Sequence, residues 1–180
     1  MPPALAARLA EVESQFVDLW GTMSSLWGIN PTMARIHGLL YITGEALTMD
    51  EMMARLGISR GNVSMNLTRL TEWGLVQRAH KPGDRRDRYA SVSDVWEMFT
   101  RVAAQRKRRE IDPVLTTLRK CRDSLSADEL GAAAKQPAAK ERHRRVDELM
   151  SFLQLMDHLG TEFLESHKSL KAAVERLSSR

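Results

Sequence analysis

The sequence predicts a mainly α-helical fold with one small β hairpin. Ten glycines, six prolines and only 6% aromatic residues in 180 favour helices over a β-sandwich. Apolar residues recur at steps of three and four along most of the chain, and strand-plus-turn chemistry is confined to Leu75–Ala90. At 43% hydrophobic and 28% charged, the chain can bury one core and carry appended helices.

Leu5, Leu9, Val12, Phe16, Leu19 and Met23 form the apolar stripe of a first helix, which Gly28 and Asn30-Pro31 interrupt. A second helix, about 31–43, carries Met33, Ile36, Leu40 and Tyr41 and ends near Gly44. Thr48 with Glu51 then makes a capping box, in which hydroxyl and carboxylate each satisfy a first-turn N–H. Met49, Met52, Met53 and Leu56 are the inner face of that short helix, and Gly57 suits a left-handed end. Ile58 can plug the turn, and Ser59 caps a helix of about 60–73 whose inner face is Val63, Leu67, Leu70 and Trp73. After Gly74, Leu75-Val76 and Tyr89-Ala90 read as strands joined by the turn Lys81-Pro82-Gly83-Asp84. A long helix from Asp94 carries Val95, Phe99, Val102 and Arg106 to Arg109, and Pro113 kinks or restarts it with Asp112 as cap. Ser126 with Glu129 caps a short turn before a weakly structured stretch around Pro137. The last helix, about 138–178, has a seam of Val146, Leu149, Leu153, Met156, Gly160, Phe163, His167, Leu170, Val174 and Leu177. Such a seam needs a partner helix, most economically from a second copy, with packing inside the chain against the helix over 4–22 as the alternative.

The net charge of +4 is unevenly spread. Residues 51–110 hold 13 Lys/Arg against 7 Asp/Glu, while the rest of the chain carries a net −2. A basic excess around two short helices and a hairpin is the footprint of a nucleic-acid-facing segment; a solvated charged face is the bland alternative. Cys121, alone, excludes an intrachain disulfide and fits a reducing cytoplasm. No apolar run approaches the roughly 18 residues of a membrane span, and the N-terminus lacks signal-peptide character.

Two short helices with a tight turn and a following hairpin spell a winged helix–turn–helix. A recognition helix needs one apolar face to hold it and an opposite face of short or flexible polar side chains for the major groove. Gly61, Ser64, Met65, Thr68 and Arg69 lie on that outward arc, with Ser59, Arg60 and Asn62 at its start. Small residues let the backbone approach; Asn62 can pair with adenine, Arg60 or Arg69 with guanine or phosphate, and Met65 can touch a thymine methyl. The hairpin adds Lys81, Arg85, Arg86 and Arg88, where a wing lies along the neighbouring minor groove.

The run L-G-I-S-R-G-N-V-S-x-N-L-x-x-L-x-x-W-G-L-V, followed by G-D-R-R-D-R-Y, resembles the MarR superfamily of winged-helix repressors. D-V-W-E-M-F and R-K-R-R-E-I-D-P after it resemble the GbsR-like branch, named for a glycine-betaine/choline regulator. The resemblance spans about residues 20–120. It implies a homodimer that places two recognition helices in successive major grooves of a pseudo-palindromic operator. It also implies that Asp84 orients Arg86 toward the minor groove.

The full expectation is therefore mainly α with a small β wing: a winged helix–turn–helix flanked by N- and C-terminal dimerisation helices. Its segments are 1–27 (N-terminal dimerisation), 31–92 (double-stranded-DNA binding), 94–125 (long linker and dimerisation helix) and 126–180 (C-terminal dimerisation). Leu9, Phe16, Leu149, Leu153, Met156, Phe163 and Leu170 are the expected dimer contacts. Trp20, Trp27, Trp96 and Phe99 are candidates for an aromatic cage that would hold a quaternary-ammonium effector, though core packing is the commoner use of such residues. Arg106 to Arg109 suit a solvated or interchain role. His37, His80, His143, His158, His167 and Cys121 show no metal-ligand spacing, and Cys121 reads as an inert small hydrophobe. No P-loop, nucleophile elbow or paired-carboxylate pattern points to an enzyme or a cofactor. Beside the DNA-binding regulator stand two alternatives: a ligand-sensing regulator, and a helical protein–protein adaptor that keeps a winged helix without binding DNA.

Overall fold

A computed structural model describes residues 1–80 and 83–166. The chain forms two compact units, Met1–Arg101 and Val102–Arg180.

In the first unit, α1 (Pro3–Leu26) packs on α2 (Pro31–Thr43), which is the centre of the core. Met33, Ala34, Ile36, His37, Gly38, Leu39 and Leu40 are all buried, because α2 also meets α3 (Met49–Leu56), α4 (Arg60–Glu72) and the sheet. A helix enclosed on several sides must be apolar nearly all round. α1 comes close at Gly38, where a Cβ would sit 3.1 Å from the Trp20 side chain. Asn30 caps α2 by accepting from the Met33 N–H at 2.9 Å.

The Thr48–Glu51 box forms as expected, with Thr48 N–H donating to Glu51 at 2.7 Å and Glu51 N–H to the Thr48 hydroxyl at 3.2 Å. Gly57 closes α3 in the left-handed region at φ 64°, and Ser59 caps α4. Val63, Leu67 and Leu70 of α4 meet Met52 and Leu56 of α3 in the core, while Trp73 is only half-buried.

The sheet has three strands rather than two. β1 (Leu47–Thr48), β2 (Val76–Ala79) and β3 (Arg88–Ser91) run antiparallel in the order β1-β3-β2. The two-residue β1 is too short to leave a period-two pattern in sequence. Its register, Leu47 opposite Tyr89 and Thr48 opposite Arg88, makes β3 the central strand. Of the expected pair, Tyr89-Ala90 lies within β3, and Leu75-Val76 gives way to a β2 that begins at Val76 and runs to Ala79.

α5 (Val95–Arg106) begins in the first unit, where Met98 is buried. In the second unit a π-helical turn (Lys107–Ile111) leads into α6 (Asp112–Asp123). Asp112 is not a cap: Ile111 before it is already helical, and the Asp112 N–H bonds back to the Lys107 carbonyl. The wider turn lets the chain pass Pro113, which has no N–H, without a break.

After α7 (Ala127–Leu130) and a 3₁₀ turn (Gly131–Lys135), α8 (Pro137–Glu165) packs against α6. Leu115 and Met150 are buried, and Lys107 reaches Asp157 at 2.8 Å. The expected single seam resolves into two faces of α8. Val146, Met150, Leu153 and Asp157 form the more covered face, whereas Leu149, Phe152, Met156, Leu159 and Phe163 are each about half exposed. The 3,4 spacing fits either stripe, so sequence pattern merged them. Leu170, with His167, Val174 and Leu177, lies outside the described residues. The units also divide the chain differently from the four expected segments. α1 packs on α2, and α6 packs with α8.

Candidate nucleic-acid interface

Four inward residues of α4 (Val63, Asn66, Leu67 and Leu70) set which side chains face out. Arg60, Gly61, Asn62, Ser64, Met65, Thr68 and Arg69 are all exposed, as is Ser59 before them. Nothing lies within 4 Å of a Cβ built on Gly61, so the helix backbone is open to close approach there. The Thr68 hydroxyl donates to the Ser64 carbonyl at 3.0 Å, leaving its oxygen lone pairs outward. Arg60 forms an ion pair with Asp50 at the start of α3.

Asn66 was not singled out by the sequence. It is buried, and its amide donates to the Asn62 carbonyl at 2.8 Å while its Oδ1 has no partner. Its burial follows from its place between Val63 and Leu70 on the inner face.

On the wing, Gly83 takes φ 81° and Asp84 gathers its neighbours. Asp84 Oδ1 accepts from the Arg86 N–H at 3.1 Å and from Arg86 Nε at 2.9 Å; Oδ2 accepts from Arg86 Nη2 at 2.9 Å. The Arg86 side-chain bonds, ahead of its backbone N–H, hold the Asp84 carboxyl far below the ordinary carboxylate range, and Asp84 raises Arg86 in turn. Two of the three guanidinium nitrogens, Nε and Nη2, are thus engaged on a side chain that stays exposed. Arg85 is exposed nearby, Arg78 pairs with Asp87 across the hairpin at 3.8 Å, and Lys81 lies outside the described residues.

Arg88 departs from the expectation of a wing-tip cation. It is 8% exposed. Its Nη1 donates to the Ala46 carbonyl at 2.8 Å and to Glu51 at 3.1 Å, and its Nε to Asp84 at 3.1 Å. β1 and β2 flank its strand on both sides, and its face of the sheet meets the Ala46 carbonyl and Glu51. Glu51, 37 residues earlier, therefore serves both the helix cap and Arg88. The Thr48 N–H, then the Thr48 hydroxyl and Arg88, keep its carboxyl below the ordinary range.

Trp20 belongs to a cluster with Phe16, His37 and Tyr41, stacked on Phe16 at 5.2 Å and on Tyr41 at 6.1 Å between ring centroids. Trp27 and Phe99 are exposed and Trp96 is half-buried; among the described residues no ring contact joins them to Trp20. Leu9, Leu149, Met156 and Phe163 are exposed as a dimer contact requires, whereas Phe16 and Leu153 are partly covered within the chain. Cys121 is exposed rather than packed among apolar neighbours, because its position on α6 faces away from Leu115. Of the basic cluster, Arg106 pairs with Glu110, and Lys107 with Asp112 and Asp157. Among the described residues no group of three or more His, Cys, Asp or Glu has metal-binding geometry, and no helix is long and apolar enough to cross a membrane.

Known proteins place this geometry. A transcriptional regulator of known crystal structure superposes with a TM-score of 0.55 over 87% of this chain and 98% of that one; at 22% identity the likeness is one of fold. The HTH-type transcriptional repressor OpcR of Bacillus subtilis (strain 168) is 23% identical over 163 residues, covering 89% of this chain and 88% of the relative. The HTH-type transcriptional repressor GbsR of the same organism is 22% identical over 119 residues, or 66% of each chain. The MarR family model matches residues 27–87, from the end of α1 to the wing. That match falls on the helices and hairpin just described, so this part of the chain is similar to the MarR family.

Proposed function

We propose that this protein is a sequence-specific regulator of transcription, most simply a repressor of the GbsR-like branch, acting as a homodimer on a pseudo-palindromic operator. The observation that carries the reading is the outward row Gly61, Asn62, Ser64 and Thr68 on α4, together with an Arg86 guanidinium already aimed by Asp84. α4 would read the major groove and Arg86 would enter the adjacent minor groove, whose narrow form concentrates negative potential. Phosphate contacts would supply most of the affinity and groove contacts the selectivity. The names of OpcR and GbsR as repressors favour repression over activation.

The dimer is supported by two unpartnered apolar rows, Leu5, Leu9, Val12 and Leu19 on α1 and the outward row of α8. Apolar stripes of this length on a monomer mark protein contact. A dimer would hold its two α4 helices about one DNA turn, roughly 34 Å, apart. Such a regulator works in the cytoplasm, beside its DNA.

The test is binding of the full chain to a library of genomic fragments at two salt concentrations. Enrichment of a two-fold symmetric site, with affinity falling steeply as salt rises, is the expected result. Salt-sensitive binding with no enriched sequence would reduce the basic excess to a general electrostatic patch, and no binding would favour the adaptor reading.

A further inference from the structure

Arg86 lies on an exposed hairpin, yet minor-groove insertion is useful only if its position relative to α4 is fixed. The hairpin alone provides weak fixation, because its outward groups are solvated. A second route runs through side chains. Asp84 Oδ2 accepts Arg86 Nη2 at 2.9 Å on one side and Arg88 Nε at 3.1 Å on the other. Arg88 continues to the Ala46 carbonyl at 2.8 Å and to Glu51 at 3.1 Å, and Glu51 caps α3 through the Thr48 N–H at 2.7 Å. Two arginines and two carboxylates alternate from the wing surface to the first turn of the helix that supports α4.

We propose that Arg88 and Glu51 are positioning residues, which fix where Arg86 meets the minor groove relative to the recognition helix. The proposal rests on the DNA-binding reading above. Arg88 does not touch DNA itself; it holds Asp84 from behind so that Asp84 can present Arg86. The guanidinium shape matters, since one planar fork reaches Ala46, Glu51 and Asp84 together, and the point charge of a lysine does not. Its burial matters as well. Water competes poorly for a side chain this enclosed, so the geometry is held rather than averaged.

A double-mutant cycle on the enriched operator duplex tests this, with the full chain throughout. Glu51→Gln keeps a residue able to complete the capping box and removes the charge facing Arg88. Arg88→Lys gives a second, independent break, and thermal melting reports whether each variant is folded. In the wild type, Arg86→Ala is expected to weaken binding about tenfold and remove hydroxyl-radical protection in the flanking minor groove. In either brace variant, the same substitution should cost less than about twofold, with the flanking protection already lost. Multiplicative losses, with flanking protection intact in Glu51→Gln and Arg88→Lys, would overturn the proposal and leave the brace a stability element only. Failure of the wild type to select any duplex would instead remove the DNA-binding reading, and this proposal with it.

Discussion

His37 makes the stability of the first unit depend on pH between about 4 and 6.5. The ring is 4% exposed, and burial pushes its pKa from 6.5 down to about 4. Its partners select one neutral tautomer: Nδ1 accepts from Trp20 Nε1 at 3.3 Å, so the proton sits on Nε2, 3.1 Å from the Ser91 hydroxyl oxygen. That hydroxyl donates onward to the Val92 carbonyl at 2.9 Å. Protonating Nδ1 would set two donors against each other beside Trp20 and bury a charge among rings. The unfolded chain therefore binds this proton first. The contribution of neutral His37 is complete above pH 6.5, shrinks as pH falls, and is gone near pH 4. A displacement from 6.5 to about 4 corresponds to about 3 kcal/mol at roughly 1.4 kcal/mol per tenfold, a large share of a typical domain's stability. Glu51 and Asp84, held below the carboxylate range, lose their contributions only at lower pH. The assay is urea unfolding of the full chain by tryptophan fluorescence at fixed protein concentration, from pH 7.5 to 4.5. His37→Gln, which does not titrate, should flatten most of the decline. A decline equally steep in His37→Gln, or a flat wild-type profile, would refute the assignment.

Gly61→Ala should stabilise α4 by about 0.5–1 kcal/mol in thermal melts, since the position is helical with open space around it. The same methyl should weaken operator binding; unchanged affinity would take Gly61 out of the interface. Phe152→Glu, on the exposed row of α8, should shift the mass seen by light scattering from dimer to monomer. Melting of the monomer itself should move by no more than about 0.5 kcal/mol, as for other surface changes. A dimer that survives the substitution would place the contact elsewhere.

The helix–turn–helix was legible because every signal in it is local. Thr48 and Glu51 stand three apart, Gly57 sits where a left-handed residue is required, and Val63, Leu67 and Leu70 repeat at the helical period. The outward row of α4 followed at once, since fixing the inner face fixes the outer one. Legibility failed where the deciding partner is distant or the pattern is degenerate. Two residues of β1 carry no periodicity, yet their pairing makes β3 central and sets Thr48 opposite Arg88. The seam of the last helix satisfied two stripes at once, and only packing on α6 separated the covered row from the exposed one. The neighbours of Trp20 could not be read from sequence, because the crossing of α1 over Gly38 is what sets it against His37. Chain-local chemistry thus wrote the caps, the turn and the reading face of α4 into the sequence. The fates of Arg88, His37 and α8 were decided by contacts between residues tens of positions apart, whose burial no local pattern encodes.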